Sequence, residues 1–116
     1  MRKLMPASKT SLRFPPPAAL RTRTVKLLAK IDADADPTPH TDDLCTLVID
    51  LTQSGMDYYF LKAVVDAKLG FVARQTAGLG IAGAMRVVAP IVRSVLGGAD
   101  AAQLKAVSRH IHGLMA

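Results

Sequence analysis

Residues 81–96 read IAGAMRVVAPIVRSVL, and this stretch does most to decide the fold. Its apolar side chains recur every three or four positions, which is the period of a helix with one buried face. We therefore predict a helix that ends at Gly97 and Gly98. Pro90 lies inside it and is expected to kink it, because the proline ring clashes with the preceding turn. The predicted buried positions are Ile81, Met85, Val88, Ala89, Val92 and Leu96.

The same period continues in the C-terminal residues. Asp100 and Gln103 have the spacing of a capping box, in which two side chains satisfy the free N–H groups at the start of a helix. The spacing predicts a last helix that begins at this box. Its expected buried stripe consists of Leu104, Val107, Ile111 and Leu114.

The residues before this stretch indicate a glycine-rich connection and then a central helix. Gly78, Gly80 and Gly83 interrupt the pattern, so we predict a break there. From Tyr58 to Thr76 apolar side chains cover most of the circumference, which is typical of a helix with neighbours on several sides. We expect Asp57 to cap this helix and the helix to lie at the centre of the bundle.

Two further helices are predicted nearer the N-terminus. In one, Thr41 is the expected N-cap and Gly55 the expected end, with Leu44, Leu47, Val48 and Leu51 as the apolar stripe. In the other, residues 20–31, Leu20, Leu27, Leu28 and Ile31 share one sector. The linker between these helices covers residues 32–40 and holds three aspartates and two prolines.

These elements predict one all-α domain. We expect a small four- or five-helix bundle over residues 20–116, with an extended basic N-terminal arm over residues 1–19. Pro15, Pro16 and Pro17 disfavour a helix in the arm, which we interpret as a flexible, proline-rich spacer.

The net charge of +6 comes from one end of the chain. Residues 1–30 carry eight basic side chains and no acidic one, whereas the remaining residues sum to −2. Such a block could contact phosphates without sequence preference, so non-specific nucleic-acid association is one hypothesis. A solvated tail is the simpler interpretation. The basic residues are Arg2, Lys3, Lys9, Arg13, Arg21, Arg23, Lys26 and Lys30.

Two motifs resemble ligand-binding loops only in part. Residues 78–83 spell G-x-G-x-x-G, but a dinucleotide site needs an apolar strand directly before the first glycine, and a helical pattern stands there instead. Asp32, Asp34 and Asp36 have the spacing of an EF-hand loop. Pro37 occupies the position where that loop needs a glycine turn, so we expect a solvated acidic linker rather than a calcium site.

No catalytic or metal-binding set assembles from the spacing. His110 and His112 point to opposite sides of a helix and cannot share one ion. Cys45 and His40 form a nucleophile pair in name only, since the cysteine borders an apolar stripe and is expected to be buried. We expect no catalytic residue, no metal and no cofactor, and we expect the protein not to be an enzyme.

The expected location is the cytoplasm, because the chain has a single cysteine and its first residues lack the apolar stretch of a secretory signal. We expect no membrane span, since Arg86 and Arg93 break the longest apolar segment. The three C-terminal helices carry more apolar surface than one small bundle hides. We therefore expect an interaction or oligomerisation module whose partner is another copy of itself or another protein.

Overall fold

The computed structural model describes residues 14–115, and helices account for most of them. Helix α1 covers Ala18–Ala33, α2 covers residues 41–66, α3 covers Phe71–Gly97 and α4 covers Ala101–Met115. These described residues contain four helices and no strand, so the predicted all-α bundle is confirmed. Residues 1–13 of the predicted arm lie outside the described residues.

The best-buried core joins α1, the first half of α2, and α4. Helix α1 begins directly after three prolines and buries one face, on which the Thr24 hydroxyl donates a hydrogen bond to the Leu20 carbonyl at 2.8 Å. Residues 20–31 are thus helical, as predicted. Aliphatic side chains fill this core, so its stability comes from close packing of apolar surface removed from water. Its members are Leu27, Leu28, Ile31, Leu44, Leu47, Leu104 and Ile111.

Polar contacts attach the neighbouring helices to α1. Asp32, near the end of α1, accepts a hydrogen bond from the buried Ser108 hydroxyl at 3.0 Å, and its other oxygen lies 3.1 Å from Nε2 of His112. Arg23 contacts Asp50 of α2 at 2.7 Å. The first contact matters most, because a buried hydroxyl without a partner is costly.

The predicted N-cap at Thr41 is wrong. A short 3-10 helix, Thr38–His40, leads directly into α2, so Thr41 already has helical backbone geometry. Its hydroxyl donates to the Thr38 carbonyl at 2.7 Å instead of accepting from a free N–H group. The linker before it is shorter than the predicted residues 32–40, because α1 continues to Ala33 and Thr38–His40 is helical. The Asp36 carboxylate accepts from both the N–H and the hydroxyl of Thr38.

The predicted helix end at Gly55 and the predicted cap at Asp57 are also wrong. Helix α2 continues from Thr41–Met56 through a π-helical turn, Asp57–Leu61, into Lys62–Asp66. A Cβ at Gly55 would lie 3.4 Å from the ring of Phe14, which is ordinary van der Waals contact, so this glycine packs beside an aromatic side chain and remains helical. Packing has overridden the local stop signal.

The predicted central helix Tyr58–Thr76 does not exist as one element. The chain reverses between α2 and α3, where Lys68 has a φ of 56° and Gly70 a φ of 103°. Glycine adopts the second angle without the steric cost that a side chain brings. Within residues 58–76 only Val64 is buried, so this region lies at an edge of the fold rather than at its centre.

The predicted glycine break is wrong as well, because residues 78–83 are helical. Helix α3 runs without interruption over 27 residues and includes Pro90. Ala77, Ile81 and Met85 are buried on the side facing α2, which is the main neighbour of α3. This packing offsets the cost of about 1 kcal/mol that each glycine adds inside a helix.

Helix α4 begins as the sequence predicts. The N–H of Asp100 donates to Oε1 of Gln103 at 2.9 Å, and the N–H of Gln103 donates to Oδ1 of Asp100 at 2.8 Å. This reciprocal pair confirms the capping box. Of the predicted stripe, Leu104 and Ile111 are buried, whereas Leu114 is 67% exposed. The stripe prediction is therefore wrong at its last position.

Replacing Asp100 with alanine should lower the free energy of unfolding by about 1 kcal/mol, because the Gln103 N–H loses its acceptor. Asp57→Ala is the matched control. It removes an aspartate that lies within a continuous helix and should change stability by less than about 0.5 kcal/mol. Urea denaturation measures both. Equal losses would show that Asp57 also caps a helix, and would contradict an α2 that continues through this residue.

Substituting alanine at two glycines should change stability in opposite directions. Gly78→Ala should stabilise the protein by roughly 0.5–1 kcal/mol, since a Cβ there meets no atom within 4 Å and the backbone is helical. Gly70→Ala should destabilise it by about 1 kcal/mol or more, because of its positive φ. Thermal unfolding of both variants is the test, and a destabilised Gly78→Ala variant would argue for the predicted break.

Candidate interaction surface

A row of exposed apolar side chains winds along α3 and turns by about 160° from its first member to its last. The row has a spacing of four residues and consists of Leu79, Gly83, Val87, Ile91 and Val95, which we call the α3 face. Its four bulky members are 56–74% exposed. Residues four apart lie next to each other on a helix and form a continuous ridge. The α3 face begins on the side of α3 opposite the buried Ile81 and winds slowly around the helix.

Small residues lower the ridge near its middle. A Cβ added at Gly83 or Gly80 would meet no atom within 4 Å, so the space outside both glycines is open. Another helix can approach closely at such a point, because no side chain separates the two backbones.

The charge around the α3 face is positive and lies to one side. Helix α3 contains three arginines, at positions 74, 86 and 93, and no acidic residue. At 100° per residue, Arg86 and Arg93 share one side of α3, and Arg93 lies about 160° around the helix from Ile91. The ridge itself carries no charged side chain, so burying it costs no desolvation of a charge.

By length and apolar composition alone, α3 could also cross a membrane, and it is the one helix within residues 14–115 that meets this criterion. Only 17% of its most apolar window is buried. A core helix of a soluble protein is mostly covered by its own chain, and α3 is not. Whatever the surroundings, most of the surface of α3 has no partner within residues 14–115.

A second exposed cluster lies at the turn that joins α2 to α3. Leu69 is 61% exposed, Phe71 69% and Val72 75%, and Val65 is exposed beside them. We call these four residues, together with Lys68 and Arg74, the hairpin tip. A depression of about 260 Å³ lies at this tip, lined by Val64, Val65, Lys68, Gly70, Phe71 and Arg74.

The basic residues predicted as a nucleic-acid contact are only partly described. Arg2, Lys3, Lys9 and Arg13 lie outside the described residues. Arg21, Arg23, Lys26 and Lys30 are all exposed on α1. Lys26 and Lys30 share one side of that helix, Arg23 is paired with Asp50, and Arg21 lies about 140° or more from both lysines. Of the four described basic residues, the structure thus brings together Lys26 and Lys30, which form no ion pair within residues 14–115.

The acidic linker is organised by local hydrogen bonds. Asp34 accepts from the N–H of Asp36 and contacts His40 at 3.2 Å, while Asp32 is held by α4. Hydrogen bonds from the Thr38 hydroxyl and N–H lower the pKa of Asp36. Across residues 14–115, no three metal-ligating side chains come together. The aspartates therefore serve as turn and cap acceptors in this structure.

The structure also separates the other motif residues. Gly78, Gly80 and Gly83 lie inside α3, so they form no loop whose N–H groups could hold a phosphate. His110 and His112 are both exposed, and His112 contacts Asp32 rather than sharing a ligand with His110.

Cys45 is buried, as predicted, with 2% of its surface exposed. Burial raises the pKa of its thiol, and nearby Arg93 only partly counters this effect. A thiolate is the reactive form of cysteine, so a buried thiol with a raised pKa is a poor nucleophile. His40 contacts Asp34, which leaves the nominal Cys45–His40 pair without support.

Neither a protein-family model, nor a curated protein, nor a solved structure matches this chain.

Sequence reasoning predicted excess apolar surface on the C-terminal helices but located neither exposed cluster. The α3 face was visible only as apolar residues on a second side of the stretch 81–96, and periodicity does not say which side has a neighbour. The hairpin tip was hidden inside the predicted helix Tyr58–Thr76. Gly70 between Leu69 and Phe71 was the one local signal of a turn there.

The burial of Cys45 predicts slow labelling by a thiol reagent. In the native protein the reaction should be at least about a hundredfold slower than in denaturant, because the chain must open first. Absorbance of the released chromophore measures both rates. Native labelling as fast as that of the unfolded chain would place Cys45 at the surface and reopen its role as a nucleophile.

Proposed function

We propose that this protein is a helical interaction module that self-associates through the α3 face. The observation that carries the proposal is the ridge of four bulky apolar side chains, 56–74% exposed, on a helix that has α2 as its main neighbour. A contiguous apolar patch of this kind is typical of an interaction site.

The size of the α3 face suits a pair of chains. Each bulky side chain on the ridge offers about 100 Å² of apolar surface, or about 400 Å² per protomer. Two such ridges offer about 800 Å² of apolar surface, so a specific interface of roughly 1,000 Å² also needs contacts from residues beside the ridge. Removing this surface from water supplies the driving force for association.

A second copy fits this ridge better than an unrelated surface. Ridges with a spacing of four residues pack into the matching grooves of another helix, and an identical helix offers the matching groove by symmetry. Gly83 permits the close approach that such a crossing requires. The uncharged ridge does not select a partner of opposite charge.

The competing hypothesis is that α3 crosses a membrane, in which case lipid would cover the same face. Arg86 and Arg93 lie in the second half of α3, and each would cost about 2.5–3.5 kcal/mol near the centre of a bilayer. Helix α2 packs along α3 and brings exposed polar residues such as Asp42 and Gln53. These charged and polar side chains favour an α3 that is covered by protein rather than by lipid.

The proposal predicts that the wild-type protein sediments as a species larger than the 12.3 kDa chain. The double variant Leu79→Ser/Ile91→Ser should sediment as a monomer, because each substitution replaces an exposed apolar side chain of the ridge with a polar one and should weaken association by about tenfold or more. Both residues are exposed in the single chain, so circular dichroism should show an unchanged helix content.

Val25→Ser is the matched control, since Val25 is a comparably exposed valine on α1, 49% accessible. This variant should remain associated. A monomeric wild-type protein at high concentration would refute the proposal. Recovery of the wild type only from membranes with detergent would refute it too, and would favour a membrane-crossing α3.

A further inference from the structure

We propose that the hairpin tip is a docking site for an anionic lipid surface. This site is separate from the α3 face and does not depend on self-association. It combines exposed bulky apolar side chains at a chain reversal with flanking cations that carry no compensating acid.

The backbone forces the apolar side chains of the tip outward. The chain reverses between α2 and α3 with positive φ angles at Lys68 and Gly70. Leu69, Phe71 and Val72 lie at this reversal and are 61–75% exposed. Transfer of leucine and phenylalanine side chains at a protruding turn from water into an apolar medium lowers the free energy.

The charge around the tip is positive. Lys68 and Arg74 form no ion pair within residues 14–115, and both are exposed. The nearby Asp66 is already paired with Lys62 at 2.8 Å. From residue 67 to residue 99 the sequence contains four basic residues and no acidic one. A partner at this tip should therefore be anionic.

The two properties occur at the same place. Lys68 and Arg74 line one depression together with Val65 and Phe71, so cations stand directly beside an apolar wall. An anionic phospholipid complements this arrangement, because its negative headgroup can contact the cations and its acyl chains can contact the apolar side chains. Basic side chains are attracted to an anionic leaflet, and the apolar side chains beside them can insert below the headgroups.

The shape of the tip favours a bilayer over an acidic protein. A protein partner would have to present a pocket that matches the protruding Leu69 and Phe71 and is also rimmed with carboxylates. A bilayer deforms around inserted side chains and presents anionic headgroups at every point. The apolar side chains and the cations of the tip match the apolar interior and the negatively charged headgroup layer of a membrane surface.

Sedimentation of the full-length chain with vesicles tests the proposal. Phosphatidylcholine vesicles with about 30% phosphatidylserine should bind the protein, and pure phosphatidylcholine vesicles should bind it much less. Lys68→Asn/Arg74→Gln should weaken binding about 25-fold, or about fivefold for each cation removed. Asparagine is chosen at position 68 because it tolerates a positive φ. Leu69→Ser/Phe71→Ser should weaken binding by about tenfold or more.

Leu114→Ser is the matched control, because Leu114 is an equally exposed leucine on α4. It should bind as the wild type does. Leu79→Ser/Ile91→Ser leaves the tip intact, so it should still prefer anionic to neutral vesicles, although a monomer binds them less tightly than an assembly that presents several tips. If the tip variants bind anionic vesicles as well as the wild type, the basic N-terminal residues account for the binding and the proposal fails. It also fails if no vesicle binds, or if the tip variants alter only the assembly state.

Discussion

The structure depends on one constraint: α3 is apolar on two sides but has its main neighbour on one. Ala77, Ile81 and Met85 face α2 and are buried, while Leu79 and Ile91 face away from the chain. Apolar side chains that remain in water forgo the largest favourable contribution in folding. In a single chain, α3 is therefore held by the packing of its buried side against α2. Burial of its other side by a second molecule would stabilise it further.

The best-buried core makes this asymmetry sharper. It is formed by α1, the first half of α2, and α4, and none of its fully buried members comes from α3. Polar contacts through Asp32 and Arg23 reinforce the same three helices. Helix α3 adds Leu96 to the partly buried side chains around this core, and its buried residues Ala77, Ile81 and Met85 pack mainly against α2. A helix that packs along one side leaves its other side open to a further contact.

The sequence predicted the kinds of element better than their limits. Helical periodicity and the Asp100–Gln103 box predicted the fold class and the start of α4, because both are local properties. Gly55, Asp57 and the glycines at 78–83 misled, since tertiary packing overrides weak local signals. The sequence predicted an excess of apolar surface on the C-terminal helices but not its position, because the pattern of apolar residues does not identify which side of a helix has a partner. Both surfaces depend on the reversal at Gly70, which sets where α2 ends and α3 begins.

The dependence of thermal stability on protein concentration tests the central claim most directly. If a second copy covers α3, association stabilises the folded chain by mass action, and the melting temperature should rise by about 5 °C over a hundredfold increase in concentration. A melting temperature that stays constant over that range would show that the chain is stable with this side of α3 uncovered, and would contradict self-association through the α3 face.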